Sequence, residues 1–246
     1  EIEANGGEAI SHGANVAIYS EVEDMVQQTI AKWGRIDILI NNAGILRDKT
    51  FSKMSLDDFS LVMDVHLMGS VNCSKAVWDI MKEQQYGRIV MTTSSSGLYG
   101  NFGQSNYGAA KMAVIGLMNT LGIEGAKNNV RVNALAPTAA TRMTEDLMPA
   151  EVLAMLVPEA VTAGALVLCH DDAPSRNILC AGAGGYATSA IFETEGVYLP
   201  PEQQTPEAVV AHWDKISDCS EQSKMETGFN QSEKFLLKAQ KYLQDK

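Results

Sequence analysis

The chain has 246 residues, of which 46% are hydrophobic and 20% charged, and its net charge is -11. This composition predicts one sizeable hydrophobic core and excludes a disordered protein. The acidic balance argues against a nucleic-acid partner, because phosphate binding needs clustered Lys and Arg. No apolar run reaches the ~18 residues of a spanning helix, and no signal-peptide pattern leads the chain. We therefore expect no membrane partner and a cytoplasmic location.

Strand and helix patterns alternate through the first third of the chain. Residues 13–20 (GANVAIYS) predict a strand and turn, residues 21–34 a helix, and residues 35–44 (RIDILINNAG) the next strand. An acidic start and apolar spacing predict one long helix over residues 56–87, and RIVMTTS at 88–94 predicts a strand. Such alternation indicates an α/β fold with a parallel sheet covered on both faces.

The alternation continues in the second half. Residues 106–127 predict a helix, and VRVNALAP predicts a strand that Pro137 ends. Residues 141–158 predict a mobile Met-rich helical flap, and ALVLCHDD at 165–172 with GAGGYATSAIFET at 182–194 completes the sheet region. A proline-punctuated linker and two amphipathic helices follow from about Tyr198. We therefore predict a domain at 1–197 and a C-terminal extension at 198–246 that packs on it.

The four cysteines are widely spaced and form no CxxC pair. They predict free thiols rather than disulfides, and no metal site is expected. They are Cys73, Cys169, Cys180 and Cys219.

Three residues of SSSGLYGNFGQSNYGAAK carry the chemistry. Tyr107 and Lys111 are four residues apart on a predicted helix and so share one face. A tyrosine with a pKa near ~10 is a poor base at neutral pH, and a nearby cation would favour its phenolate. Ser94 follows a predicted strand, from which its hydroxyl can reach the same substrate oxygen. An isolated Tyr-x-x-x-Lys is usually a surface pair, but here the NNAG run Asn41–Gly44 also ends a strand with small residues that a flat ring could approach.

NNAG, the Ser-Tyr-Lys set and RVNALAPTAATRM together resemble the short-chain dehydrogenase/reductase family. More narrowly, NNAGILRDKTF, VHLMGS, the segment from YGRIVMTT to NYGAAK, and APTAATRMTEDLMP resemble the (3R)-hydroxyacyl-CoA dehydrogenase unit of peroxisomal multifunctional beta-oxidation enzymes and its stand-alone bacterial relatives. The resemblance runs from about residue 1 to about residue 200. It implies a Rossmann-like doubly wound parallel sheet with a helical C-terminal extension.

The start of the chain departs from the family pattern. The family opens with a strand, a TGxxxGxG turn and a helix that bind the dinucleotide pyrophosphate. This chain opens on EIEANGGEAISHGANV, which resembles the end of the second helix leading into the third strand. We therefore expect an N-terminally truncated sheet. Gly6 and Gly7 are interpreted as a helix stop, and the run Ala181–Gly185 as the last strand and its turn.

The resemblance implies oxidation of the 3-hydroxyl of a (3R)-hydroxyacyl-CoA, with NAD accepting the hydride. Tyr107 would take the hydroxyl proton, Ser94 would hold the oxyanion, and Lys111 would depress the phenol pKa and contact the nicotinamide ribose. His66 occupies the position at which many family members have an asparagine, and it is expected to assist as a helper. The further residues implied to contact the cofactor are Asn15, Val16, Asn41, Ala43, Gly44, Pro137, Thr138 and Ala139.

Besides this dehydrogenase, which is the first hypothesis, two alternatives stay open. A 3-ketoacyl-(acyl carrier protein) reductase would use the same catalytic residues with NADPH, and the residue that distinguishes NAD from NADP normally follows the second strand, which is not in this sequence. A catalytically silent fragment is the third. The resemblance also implies a homodimer through the helices around Leu56–Gln85 and Asn106–Asn128.

Overall fold

The structure, a computed structural model, describes residues 1–140 and 149–245. Their helices are α1 Tyr19–Trp33, α2 Leu56–Met63, α3 Gly69–Gln84, α4 Ser95–Tyr99, α5 Ser105–Gly125, α6 Ala150–Leu153, α7 Glu159–Cys169, α8 Pro206–Ala211, α9 Trp213–Ile216 and α10 Gly228–Gln244. Their strands are β1 Ile38–Asn41, β2 Gly87–Thr92, β3 Val130–Thr138, β4 Ile178–Gly182, β5 Gly185–Ser189, β6 Glu193–Thr194 and β7 Gln222–Ser223.

The main sheet of the described residues has five strands in the order β1-β2-β3-β4-β5. Strands β1 to β4 run parallel, with Ile40 beside Val90 and Thr92 beside Leu135, and β5 returns antiparallel to β4. Parallel neighbours place their carboxyl ends at one edge, where ligands bind in open α/β sheets. This is the predicted Rossmann-like α/β fold.

Helices cover both faces of the sheet, as predicted. On one face, Ile89 and Met91 of β2 pack in a core with residues of α3 and α5. On the other face, Val90 packs with Leu168 of α7. Alternate residues of one strand therefore enter two cores, as the period of two requires.

The predicted long helix is present but not uniform. A π-helical turn, Asp64–Met68, joins α2 to α3 and contains His66. Such turns inside α-helices are frequent at functional sites because they shift side chains out of the regular row. The 3₁₀ turn Glu3–Asn5 ends at Gly6 with φ +84°, which confirms the predicted helix stop.

The predicted strand at 13–20 is wrong. Asn15 instead organises a turn, with the Ile18 N–H donating to the Asn15 carbonyl at 2.9 Å and the Ala17 N–H donating to Asn15 Oδ1 at 3.1 Å. Helix α1 begins at Tyr19. A strand needs a hydrogen-bonded neighbour, and none lies beside this segment in the described residues, so local side-chain bonding prevails.

Two other predictions need correction. ALVLC at 165–169 is the end of α7 and not part of the sheet, because a short apolar run fits a buried helix as well as a strand. Strand β3 extends one residue past Pro137, since Thr138 pairs with Gly182. Residues 141–148 of the predicted flap lie outside the described residues, and its remainder, 149–158, contains the short helix α6.

The residue contacts divide the chain into two compact units, Glu1–Ser189 and Ala190–Lys246, so the first ends before the predicted boundary at 197. The earlier boundary arises because β6 pairs with β7 and ties residues 193–194 to the C-terminal unit. In that unit Thr227 and Asn230 form a capping box at the start of α10.

Among the helices of the described residues, none has the length and apolar character needed to cross a membrane.

Candidate active site

The candidate active site lies where β1 and β2 end and α5 begins. Ser94 follows β2 by two residues, and Tyr107 and Lys111 lie on the first turns of α5. The ring centroids of Tyr107 and His66 are 5.1 Å apart in an edge-to-face arrangement. The fold therefore brings together the four residues predicted to act in catalysis.

Lys111 is almost fully buried, with 4% of its surface exposed. Its ammonium donates to the Thr92 carbonyl at 2.6 Å and lies 5.5 Å from the centroid of the Tyr107 ring. Burial disfavours the charged form and lowers the pKa of Lys111 to about 8.

The pKa of Tyr107 moves opposite to expectation. Burial raises the pKa of the phenol above its ordinary value of 10.0, a hydrogen bond from Ser94 lowers it, and the Asp48 carboxylate raises it. Burial is the largest of these effects, so the pKa is raised overall. The predicted depression of the phenol pKa by Lys111 is therefore not found in the protein alone. At neutral pH the phenol carries its proton.

The position of Ser94 is set by its extended backbone and by its role as the N-cap of α4. Its backbone is extended, and its hydroxyl accepts a hydrogen bond from the Ser96 N–H at 3.2 Å as the N-cap of α4. The same side chain lies near enough to Tyr107 to lower the pKa of the phenol. The Ser96 N–H therefore holds the serine oxygen on the side of the phenol.

His66 is 2% exposed and lies between the loop after β1 and the Tyr107 ring. Its Nε2 lies 2.8 Å from the Ile45 carbonyl and 3.0 Å from the Ile45 N–H, while Nδ1 is buried without a hydrogen-bond partner. Burial, followed by the charge of Lys111, lowers the pKa of His66 to about 4, although the Ile45 backbone contact raises it. His66 is therefore neutral at pH 7. A Cβ on Gly44 would lie 2.4 Å from His66 Cε1, so this loop approaches the ring only because residue 44 is glycine.

Acid is expected to destabilise the protein through His66. Because its folded pKa of about 4 lies below the ordinary 6.5, the unfolded chain binds more protons between these values. The contribution of His66 to the free energy of unfolding is fully present above pH 6.5. It decreases as the pH drops towards 4, by about 3 kcal/mol in total. Urea unfolding at pH 7, 6 and 5 measures this loss. His66→Asn, which cannot titrate, is expected to flatten the dependence, and equal slopes for both proteins would exclude His66 as its source.

The three residues predicted to line the nicotinamide differ in exposure. Ala43 and Gly44 are exposed at the end of β1. Asn41 is buried beneath the sheet edge, where its amide donates to Ser74 Oγ at 3.2 Å and to Met91 Sδ at 3.3 Å. The pleat thus turns the Asn41 side chain into the core, and a contact of Asn41 with the cofactor stays a prediction.

Asn42 is the exposed asparagine of NNAG. Its Oδ1 accepts a hydrogen bond from the Thr92 hydroxyl at 3.2 Å, which connects it to the residue whose carbonyl holds Lys111. The alternation of side chains along a strand is the signal that separates Asn42 from Asn41.

The predicted adenine-side residues lie in the turn before α1. Asn15 is exposed, and its N–H donates to Glu21 at 2.7 Å. Val16 packs against Gly69 at the start of α3, and its carbonyl accepts from Asn72 Nδ2 at 2.9 Å. Asn72 thus holds this turn against α3, and no sequence motif indicated it.

Pro137 and Thr138 form the end of β3, and Ala139 follows directly. Thr138 is exposed and Pro137 half-buried. Strand β3 is the parallel neighbour of β2, so these residues end at the same sheet edge as Thr92. The backbone thus places the predicted loop on the catalytic side of the sheet.

A side-chain network frames the site on the loop side. Gln104 Nε2 donates to Asp48 Oδ2 at 2.6 Å, and its Oε1 accepts from the Ser96 hydroxyl at 2.7 Å. Asn106, which is fully buried, donates to the Arg47 carbonyl at 3.1 Å. These contacts join the loop after β1 to α4 and α5, and only the three-dimensional structure reveals them.

The described residues contain no group of three or more His, Cys, Asp or Glu that could hold a metal ion. The four cysteines are free thiols. The run Ala181–Gly185 continues from β4 through a hairpin turn into β5. It precedes no helix, so it lacks the strand-turn-helix geometry of a pyrophosphate site.

A parallel α/β sheet with Ser, Tyr and Lys side chains at its carboxyl edge defines an oxidoreductase of the Rossmann-like class. The family model described as short chain dehydrogenase matches residues 1–151. The chain belongs to the short-chain dehydrogenase family.

Three proteins show the extent of the similarity. Peroxisomal multifunctional enzyme type 2 of Mus musculus is 45% identical over 230 residues, which are 92% of this chain and 31% of that protein. A short-chain type dehydrogenase/reductase of Mycobacterium tuberculosis is 43% identical over 89% of this chain and 77% of its own length. The structure of full-length peroxisomal multifunctional enzyme type 2 from Drosophila melanogaster matches with a TM-score of 0.83 at 36% identity, covering 98% of this chain and 42% of that one. This chain therefore spans about a third of the mouse protein.

Two further matches concern reaction type. A 3-oxoacyl-[acyl-carrier-protein] reductase of Synechocystis is 42% identical over 80% of this chain and 78% of that protein. A 7α-hydroxysteroid dehydrogenase, solved as a complex with NADH, matches with a TM-score of 0.69 at 27% identity over 75% of this chain and 77% of that chain.

Proposed function

We propose that this chain oxidises the 3-hydroxyl of a (3R)-hydroxyacyl-CoA to the ketone, with NAD as hydride acceptor. The observation that carries the proposal is the convergence of the Ser94 hydroxyl, the Tyr107 phenol and the Lys111 ammonium at the carboxyl edge of a parallel sheet. The acyl-CoA substrate is favoured by the 45% identity to the mouse multifunctional enzyme.

The nicotinamide side of a dinucleotide fits the residues at this edge. Gly44 lies close against His66, and the exposed Ala43 beside it adds little bulk, so a flat ring could approach the backbone. Lys111 would hold the ribose hydroxyls next to that ring. When bound, the dinucleotide supplies the hydride acceptor. NAD is preferred over NADP in this proposal, and the family member solved with NADH supports a nicotinamide dinucleotide.

The residues of this chain would handle the proton. In the oxidative direction, Tyr107 takes the proton of the substrate hydroxyl, while Ser94 hydrogen-bonds the same oxygen as it becomes a carbonyl. Because burial raises the pKa of Tyr107, oxidation requires loss of the phenol proton first and should accelerate with rising pH. In the reverse direction the protonated phenol is already the acid.

The second candidate is a 3-ketoacyl-(acyl carrier protein) reductase that uses NADPH. The protonated phenol favours it, since reduction needs an acid at neutral pH, and so does the Synechocystis relative. A catalytically silent folded fragment is the third.

Turnover with defined stereochemistry separates these candidates. The protein is incubated with NAD and (3R)- or (3S)-3-hydroxybutanoyl-CoA, and NADH formation is followed by absorbance. Oxidation of the 3R substrate alone supports the proposal. A higher kcat/KM for 3-ketoacyl-(acyl carrier protein) with NADPH favours the reductase, and absence of both turnover and calorimetric heat with either dinucleotide indicates the silent fragment.

We also propose a homodimer through α2, α3 and α5. Helices α2 and α5 expose apolar side chains, including Leu61 at 41%, Met112 at 39% and Ile123 at 47%, and the π-helical turn that leads into α3 exposes Met68 at 43%. Exposed apolar surface of this kind is typical of protein interfaces. We expect the wild type to sediment as a dimer and the double variant Leu61→Lys, Ile123→Lys to sediment as a monomer.

The cytoplasmic location stays a prediction.

A further inference from the structure

Two adjacent threonines, Thr92 at the end of β2 and Thr93 directly after it, contact both ends of the Lys111 residue. The ammonium of Lys111 donates to the Thr92 carbonyl at 2.6 Å. The hydroxyl of Thr93, a residue that is 1% exposed, donates to the Lys111 carbonyl at 2.6 Å. The lysine is thus fixed at its backbone and at its charged end by consecutive residues of one segment.

The segment that provides these contacts also carries Ser94. Immediately beyond it, Gly97 of α4 lies so close to α5 that a Cβ would be 2.8 Å from the Lys111 carbonyl carbon and Cβ. A Cβ on Gly108 would be 3.0 Å from the Ser96 carbonyl oxygen. Helices α4 and α5 are therefore in direct backbone contact, and the separation of Ser94 from Lys111 depends on how the β2–α4 connection is attached to α5.

The Lys111 carbonyl accepts an unusual hydrogen bond for a helix interior. Backbone carbonyls inside a helix are already paired with the N–H four residues on, so the Thr93 hydroxyl is an additional donor. A buried hydroxyl without an acceptor is costly, which makes this contact a specific attachment point between the strand end and the helix.

We propose that Thr93 is a positioning residue that sets the register between Ser94 and the Tyr107–Lys111 pair through its hydrogen bond to the Lys111 backbone. It touches neither substrate nor cofactor. Loss of the hydroxyl lets α5 move relative to the β2–α4 connection, which loosens the contact of the Lys111 ammonium with the Thr92 carbonyl. The catalytic consequence rests on the proposed function, whereas the effect on Lys111 does not.

The test compares Thr93→Val, which keeps the shape and removes the hydroxyl, with Thr93→Ser, which keeps the hydroxyl. The activity-independent readout is the titration of Lys111 followed by the 13Cε chemical shift in lysine-labelled protein, assigned with Lys111→Arg. Thr93→Val is expected to move the pKa of Lys111 from about 8 towards the ordinary 10.5, because water reaches the loosened ammonium, and Thr93→Ser is expected to restore it. In turnover, Thr93→Val is expected to lower kcat by roughly 10- to 100-fold with little change in KM.

Thr29→Val is the matched control. Thr29 is a part-buried threonine on α1 whose hydroxyl donates to the Met25 carbonyl at 2.9 Å. This control is expected to leave both the Lys111 titration and kcat unchanged. If Thr93→Val lowers stability yet leaves the Lys111 titration at its wild-type position, Thr93 is only structural and the proposal is overturned. If the titration moves but the wild type itself turns over no hydroxyacyl-CoA, the positioning role stands and the proposed function fails.

Discussion

Tyr107→Phe is expected to lower kcat/KM for the hydroxyacyl-CoA by about 10²- to 10⁴-fold, the range that general acid–base catalysis contributes. The substitution removes one oxygen and keeps the ring, so the edge-to-face contact with His66 at 5.1 Å remains. Ser94 keeps its hydrogen bond from the Ser96 N–H. The substitution should therefore lower the rate of the reaction and leave the stability of the fold nearly unchanged.

The measurement is the initial rate of NADH formation for wild type and variant, with thermal unfolding of both. Tyr99→Phe is the matched control, since Tyr99 is 72% exposed on α4 and its hydroxyl lies 3.4 Å from Ser189 Oγ. The control is expected to keep full activity. A Tyr107→Phe protein that retains more than about a tenth of the wild-type rate would rule out the phenol as the proton-transferring group.

Arg88→Met is expected to destabilise the protein by about 3–5 kcal/mol, because it removes several buried hydrogen bonds from a charged donor, each of which contributes roughly 1.5–3 kcal/mol before partial compensation. Arg88 is 1% exposed, at the start of β2. Its guanidinium donates to four carbonyls, those of Gly87 and Asn129 at 2.8 Å, of Asp171 at 2.7 Å and of His170 at 3.0 Å. Methionine fills the volume but removes all four donors, although the Asn129 and His170 carbonyls still accept from the Gly87 N–H at 3.2 Å and the Ala173 N–H at 3.0 Å.

The Arg88 network also fixes the connection between α7 and β4. Tyr86 stacks on the guanidinium at 4.2 Å, and its hydroxyl donates to Asp171 Oδ1 at 2.7 Å. Urea unfolding at pH 7 measures the loss. Arg35→Met, in an exposed pair with Asp37, is the control and is expected to leave the midpoint nearly unchanged. A shift as small as that of the control would show that the carbonyls find other partners.

Local patterns in the sequence predicted most of the elements around the site. The i, i+4 spacing of Tyr107 and Lys111 gave a shared helix face, and the apolar run before Ser94 gave a strand that ends beside it. Both patterns involve residues that are close together in the chain, so they can be recognised from the sequence alone. The strand predicted at 13–20 is wrong because a strand also needs a hydrogen-bonded neighbour, which lies elsewhere in the chain and cannot be recognised from the local sequence.

The sequence by itself determined the order of strands and helices in the catalytic region and the identity of Ser94, Tyr107 and Lys111. The tertiary structure alone decided that Asn41 points into the core, that Thr93 holds the Lys111 backbone, and that the phenol pKa rises. Burial, desolvation and hydrogen-bond partners are set by residues distant in the chain, whereas periodicity and turn chemistry are set by adjacent ones. The nature of the reacting groups is therefore encoded locally, and their protonation and alignment are set by the packing of the whole domain.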